Sequence, residues 1–103
     1  MGVSMDTEIK KEGDTLFVNL SGRLDTLRAM ELDDQLNAAA DGVKDIVFDL
    51  DGLTYIASAG LRLLFWAQEY TGEHGGTSIV KHVSDEVNEI FAMTGFRDII
   101  TIE

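Results

Sequence analysis

The sequence predicts a single-domain α/β fold in which a mixed β-sheet is packed with helices, in the order β-β-α-β-α-β-α-β. Segments whose apolar residues alternate with period two are interleaved with segments whose apolar residues recur at spacings of three and four, the pattern of βαβ units. The chain has 103 residues, enough for one two-layer core and too few for a second. It contains no proline, repeat or Ser/Gly tract that would mark a linker. One domain over residues 1–103 is therefore expected, with a frayed stub at Met1 to Ser4.

Each element has its own signal. Thr7 to Lys11 and Thr15 to Ser21 flank Glu12-Gly13-Asp14, and Leu16, Val18 and Leu20 alternate with Phe17, Asn19 and Ser21. That is an antiparallel hairpin with one well-buried face. After Gly22 the period changes: Ala29, Leu32, Leu36 and Ala39 form a helical stripe that ends near Gly42. Lys44 to Asp51 returns to strand character, and the nearly continuous run Ile46, Val47, Phe48 and Leu50 predicts a central strand covered on both faces. A helix follows from Ser58 to about Gly72, buried at its start and emerging at Gln68, Glu69 and Glu73. Gly75-Gly76 turns the chain into a strand over Thr77 to Val83. Ser84 then reads as an N-cap, with Asp85 and Glu86 in a first turn whose dipole favours negative charge. Gly95 stands where a left-handed cap would end that helix, Phe96 is available to pack back, and Asp98 to Ile102 makes a final strand.

Composition removes whole classes of function. Nineteen acidic against eight basic residues give a formal net charge of -11, a field that opposes capture of nucleic acid or anionic membrane. No cysteine is present, so disulfides, thiolate nucleophiles and Cys-based zinc sites are absent by inventory, which suits a reducing cytoplasm. The N-terminus lacks the basic and apolar regions of a signal peptide, and no apolar stretch approaches the ~20 residues that span a bilayer. A cytoplasmic protein is expected.

The stretch Asp49-Leu50-Asp51-Gly52-Leu53-Thr54-Tyr55-Ile56-Ala57-Ser58-Ala59-Gly60-Leu61-Arg62 is the most informative. It runs off the carboxyl end of the central strand into a helix N-terminus, where open α/β sheets place their ligand or reacting group. Ser58 there reads either as an N-cap, worth ~1 kcal/mol, or as an accessible hydroxyl beside small residues and first-turn N–H groups that could hold a phosphate.

Phe48-Asp49-Leu50, Tyr55 to Leu61, Gly22-Arg23-Leu24-Asp25 and Met93-Thr94-Gly95-Phe96 together resemble the STAS domain of bacterial anti-sigma factor antagonists, over essentially the whole chain. The resemblance implies a STAS-like fold and a domain that binds an anti-sigma factor serine kinase and so frees a sigma factor. The kinase would phosphorylate Ser58, and a phosphatase acting on phosphoserine would restore the binding form. The resemblance also implies a partner surface of Asp25, Ala57, Ser58, Ala59, Gly60 and Arg62. Many members carry an acidic residue or a serine where this chain has Ala57. A STAS adaptor that works without phosphorylation, in a lipid-transport or signalling complex, is the alternative.

Other residues point to plainer roles. Asp25 reads equally as the first helix's N-cap and as part of the Ser58 face. Asp49 and Asp51 share a strand face but lack a third ligand, so neither a metal nor another cofactor is expected. Trp66 and Tyr70, four apart on one helix, read as core. A serine hydrolase is the weakest reading, because Ile56 occupies the first glycine position of a G-x-S-x-G elbow and neither His74 nor His82 is well placed to meet Ser58. No nucleotide-binding loop is present.

Overall fold

Alternation of large apolar residues with smaller or polar ones sets the sheet. In a computed structural model describing residues 7–103, strands β1 (Thr7–Glu12) and β2 (Thr15–Leu20) form the expected antiparallel hairpin, with Ile9 opposite Val18. The expected stub at Met1 to Ser4 lies outside the described residues. A short strand β3 (Gly22–Leu24) precedes helix α1 (Thr26–Ala39). Strands β4 (Asp45–Asp49) and β5 (Leu53–Ile56) lead to helix α2 (Ser58–Glu73). Strand β6 (Ser78–Lys81) and helix α3 (Asp85–Thr94) complete the regular elements, followed by a 3-10 turn at Phe96–Asp98.

The main sheet has the order β1-β2-β4-β6, antiparallel between β1 and β2 and parallel elsewhere. Leu16, Val18, Ile46, Phe48 and Val80 project from one face into a core completed by Leu32 and Leu36 of α1, Leu61, Leu64 and Ala67 of α2, and Val87 and Phe91 of α3. The opposite face is only half covered. Phe17, Val47 and Ile79 lie side by side across it, each part-buried. The interior position of β4 is as the sequence predicts, but the expected burial on both faces is not found. Helix packing completes the burial of one face, and burial along β4 alternates as it does in a one-sided sheet.

Three other differences have local causes. Strand β6 stops at Lys81, not Val83, because His82 takes a left-handed backbone with φ +57 that no ladder tolerates. The expected strand over Asp98 to Ile102 shrinks to a single parallel bridge between Val80 and Ile102, because Phe96 to Ile100 spend their backbone groups on 3-10 bonding. The expected order also lacked β3 and β5, which form a separate two-stranded parallel sheet. Helix α3, in contrast, is bounded as its sequence dictates. The Ser84 hydroxyl accepts from the Val87 N–H at 3.2 Å, and Gly95 closes the helix at φ +79, which a side chain would resist.

Candidate functional site

The small β3–β5 sheet builds the site. Its parallel register sets Arg23 beside Tyr55 and Leu24 beside Ile56, and the Ala57 N–H donates to the Leu24 carbonyl at 2.9 Å. The residue after each strand, Asp25 or Ala57, is the N-cap of a helix, so the N-termini of α1 and α2 emerge side by side. Asp25 and Ser58 thus share one end of the molecule, although 33 positions separate them in sequence.

The two helix starts differ chemically. Asp25 is the N-cap of α1, its carboxylate accepting from the Arg28 N–H at 2.9 Å. The N-cap of α2 is Ala57, which offers no side-chain acceptor. Ser58 is therefore the first residue inside α2 and not the cap that its position alone suggested. Its side chain is exposed, and its hydroxyl has no hydrogen-bond partner among the described residues. First-turn N–H groups of α2 consequently lack a side-chain acceptor, the condition under which an oxyanion is held best.

The remaining residues of the expected surface divide by depth. Arg62 is exposed and Ala59 part-buried, whereas Ala57 and Gly60 face inward. A Cβ on Gly60 would lie 2.7 Å from Ile56 Cγ1 and 2.8 Å from Leu24 Cδ2. Gly60 thus lets α2 sit tightly against the β3–β5 pair, and it supports Ser58 from beneath rather than clearing space for another molecule.

Cations surround the two helix starts, each differently engaged. The Arg28 guanidinium donates to the carbonyls of Ser21 and Arg23 at 2.9 and 2.5 Å and to the Thr7 hydroxyl at 2.8 Å, clamping the start of β3. Arg23 lies over the Tyr55 ring, 4.3 Å from its centroid. Arg62 lines a groove of about 280 Å³ between α1 and α2 with Ala29, Met30, Asp33, Ala59, Leu63 and Trp66.

Leu27 and Met30, 66% and 61% exposed, stand on the outer face of α1, with Phe65 of α2 at 39%. Sequence reasoning missed them as surface residues. The available signal was that Leu27 and Met30, three apart, both fall off the Ala29–Leu32–Leu36 stripe.

The other candidates serve the scaffold. Tyr70 packs 5.1 Å from Trp66 and donates to the Ala40 carbonyl at 2.7 Å, tying the end of α2 to that of α1. His74 stacks on Tyr70 at the far end of α2, about 24 Å from Ser58 at 1.5 Å rise per residue. His82 contacts Asp49 at 2.9 Å. Neither ring bonds to Ser58, so the pairing that a hydrolase requires is not formed.

Asp49 also accepts from the Asp51 N–H at 3.0 Å. Burial raises the Asp49 carboxyl's pKa, but the His82 contact, the Asp51 N–H and the charges of His82 and Lys81 outweigh it and hold it below the ordinary carboxylate value. Asp49 and Asp51 line a shallow acidic recess with Glu8, Asn19 and Ser21. Among the described residues, no group of three or more His, Asp or Glu side chains is arranged to hold a metal ion, and no helix is long and apolar enough to cross a membrane.

Comparison with known proteins places this geometry in context. Residues 6–103 match the family model described as the STAS domain. The anti-sigma-B factor antagonist of Bacillus subtilis is 25% identical over 100 residues, covering 97% of this chain and 92% of its own. BtrV of Bordetella bronchiseptica, named for anti-sigma factor antagonism, is 31% identical over 88 residues, covering 84% of this chain and 76% of its own. Among solved structures, the Bacillus anti-sigma factor antagonist SpoIIAA in its unphosphorylated form superimposes with a TM-score of 0.82 at 18% identity, covering 94% of this chain and 87% of that one. Its phosphorylated form gives 0.74 at 17% identity, covering 94% of this chain and 90% of that one.

Proposed function

The chain belongs to the STAS domain family, and on that premise we propose that it is an anti-sigma factor antagonist, switched by reversible phosphorylation of Ser58. In this reading the unmodified protein binds an anti-sigma factor serine kinase in the cytoplasm and so releases a sigma factor for transcription. Phosphate on Ser58 ends the complex, and a phosphatase restores the binding form. The observation that carries the reading is the exposed, unbonded Ser58 hydroxyl at an uncapped helix start beside Asp25. The molecule acts as a ligand for its partner and does no chemistry of its own.

Charge and position suffice for such a switch. Phosphorylation adds about -1.5 to -2 charges and three strong acceptor oxygens. The dipole and free N–H groups of α2 stabilise that group internally, so the fold survives modification. A partner packed against Ser58 must instead take a dianion into its interface. A penalty of ~2.8 kcal/mol weakens binding about a hundredfold.

Titration of the partner kinase with three forms of the protein tests this. Ser58→Ala is expected to bind like the wild type and to accept no phosphate, and Ser58→Glu is expected to bind more weakly. Wild-type affinity in Ser58→Glu would contradict the switch. Binding by all three forms with no phosphate incorporated into the wild type would favour the STAS adaptor instead.

A further inference from the structure

We infer that Arg62 is the intramolecular counter-ion of phosphorylated Ser58, holding the phosphate on the surface of α2. The inference rests on Ser58 being the modified residue. Ser58 and Arg62 are four apart in α2, the spacing at which helical side chains are neighbours. Helical side chains lean toward the N-terminus, so the long Arg62 side chain is directed toward the turn that carries Ser58. Both residues are exposed.

Arg62 is also free to take the role. Among the described residues its guanidinium has no ion pair, aromatic partner or hydrogen bond. Asp33, the acidic residue lining the same groove, accepts from the Asn37 amide at 3.0 Å and, among the described residues, makes no ion pair with Arg62. The neighbouring cations are otherwise engaged, Arg28 clamping β3 and Arg23 over Tyr55.

Asp25 is the acidic neighbour across the two helix starts, and its carboxylate is held by the α1 cap. That cap bond leaves the Asp25 charge in place, so it opposes a phosphate on Ser58, but with Ala57 beside it Ser58 has no carboxylate next to it in sequence. Arg62 can therefore form a charge-assisted bond to a dianion that the helix start alone would leave partly uncompensated.

Arg62 acts here as a positioning residue, and the phosphate's own titration reports it. Protein carrying phosphoserine encoded during translation at position 58 would be titrated by phosphorus NMR, alongside Arg62→Gln and Arg62→Lys versions of it. The second ionisation of phosphoserine lies near pH 6. Loss of the cation in Arg62→Gln is expected to raise it by about 0.15 to 0.4 pH units, and Arg62→Lys is expected to restore part of the shift. About 0.5 M salt should shrink the difference between wild type and Arg62→Gln.

Equal ionisation in wild type and Arg62→Gln would overturn the inference. If Arg62→Gln did not fold, the Arg62→Lys comparison and the salt response of the wild-type phosphoprotein would decide it in the same way. Encoded phosphoserine needs no kinase, so the two readings fail separately. A kinase that leaves Ser58 unmodified counts against the switch, whereas a flat titration counts only against the Arg62 pairing.

Discussion

Two helix starts lie one backbone hydrogen bond apart, and the difference between their capping residues organises the surface around them. At Asp25 a side chain satisfies the first turn, while at Ala57 that place is open and the neighbouring hydroxyl of Ser58 is unbonded. Asp25 can therefore be separated into cap and charge. Asparagine caps as well as aspartate, so Asp25→Asn should leave the urea midpoint nearly unchanged, whereas Asp25→Ala should lose ~1 kcal/mol of stability. If the Asp25 carboxylate also faces the partner, calorimetry will show weaker binding by Asp25→Asn despite its intact fold. Unchanged affinity would restrict Asp25 to its capping role. Asp25, Ser84 and Gly95 were readable in advance because caps are local chemistry. The start of α2 at Ser58 was readable as well, but whether Ser58 caps that helix was not, because a serine before two small residues reads the same at the cap and at the first helical position.

At the scale of elements, the β3–β5 pair fixes the distance between the helix starts, and Gly60 fixes how closely α2 rests on that pair. Gly60→Ala would drive a methyl into Ile56 and Leu24, and an overpacking cost of ~1 to 3 kcal/mol is expected by denaturant unfolding. A stability unchanged by that substitution would mean that the contact is looser than drawn. These two strands escaped sequence reading because a three-residue strand leaves no periodicity to detect, and Leu53 to Ile56 sits inside a stretch that reads as a loop.

The Asp49–His82 contact joins β4 to the turn after β6. Since the folded Asp49 carboxyl lies below its ordinary value, its contribution is complete above the unfolded pKa of about 3.9 and is lost as pH falls through the folded value. The stability gap between wild type and Asp49→Asn is thus expected to be below about 1 kcal/mol near neutrality and to close in acid. A gap that widened in acid would reverse the sign of this argument.

Across the whole molecule, the sheet-and-helix order was legible because one face of the sheet is buried, which imposes period two on the strands and a narrow apolar stripe on α1. The final strand was not, because Ile99, Ile100 and Ile102 look alike in sequence while only Ile102 pairs, with Val80. Tertiary competition for backbone groups decided that segment. The candidate site was partly legible: Asp25 and Ser58 could be named from local signals and family resemblance, but their juxtaposition depends on a pairing between distant strands.

The direct test of the central claim is intact-mass analysis, with peptide mapping, after incubation of the protein with its partner kinase and Mg-ATP. One added phosphate, located on Ser58, is the expected result. An unmodified protein, in a reaction where the same kinase phosphorylates a control antagonist and binds this chain, would contradict it.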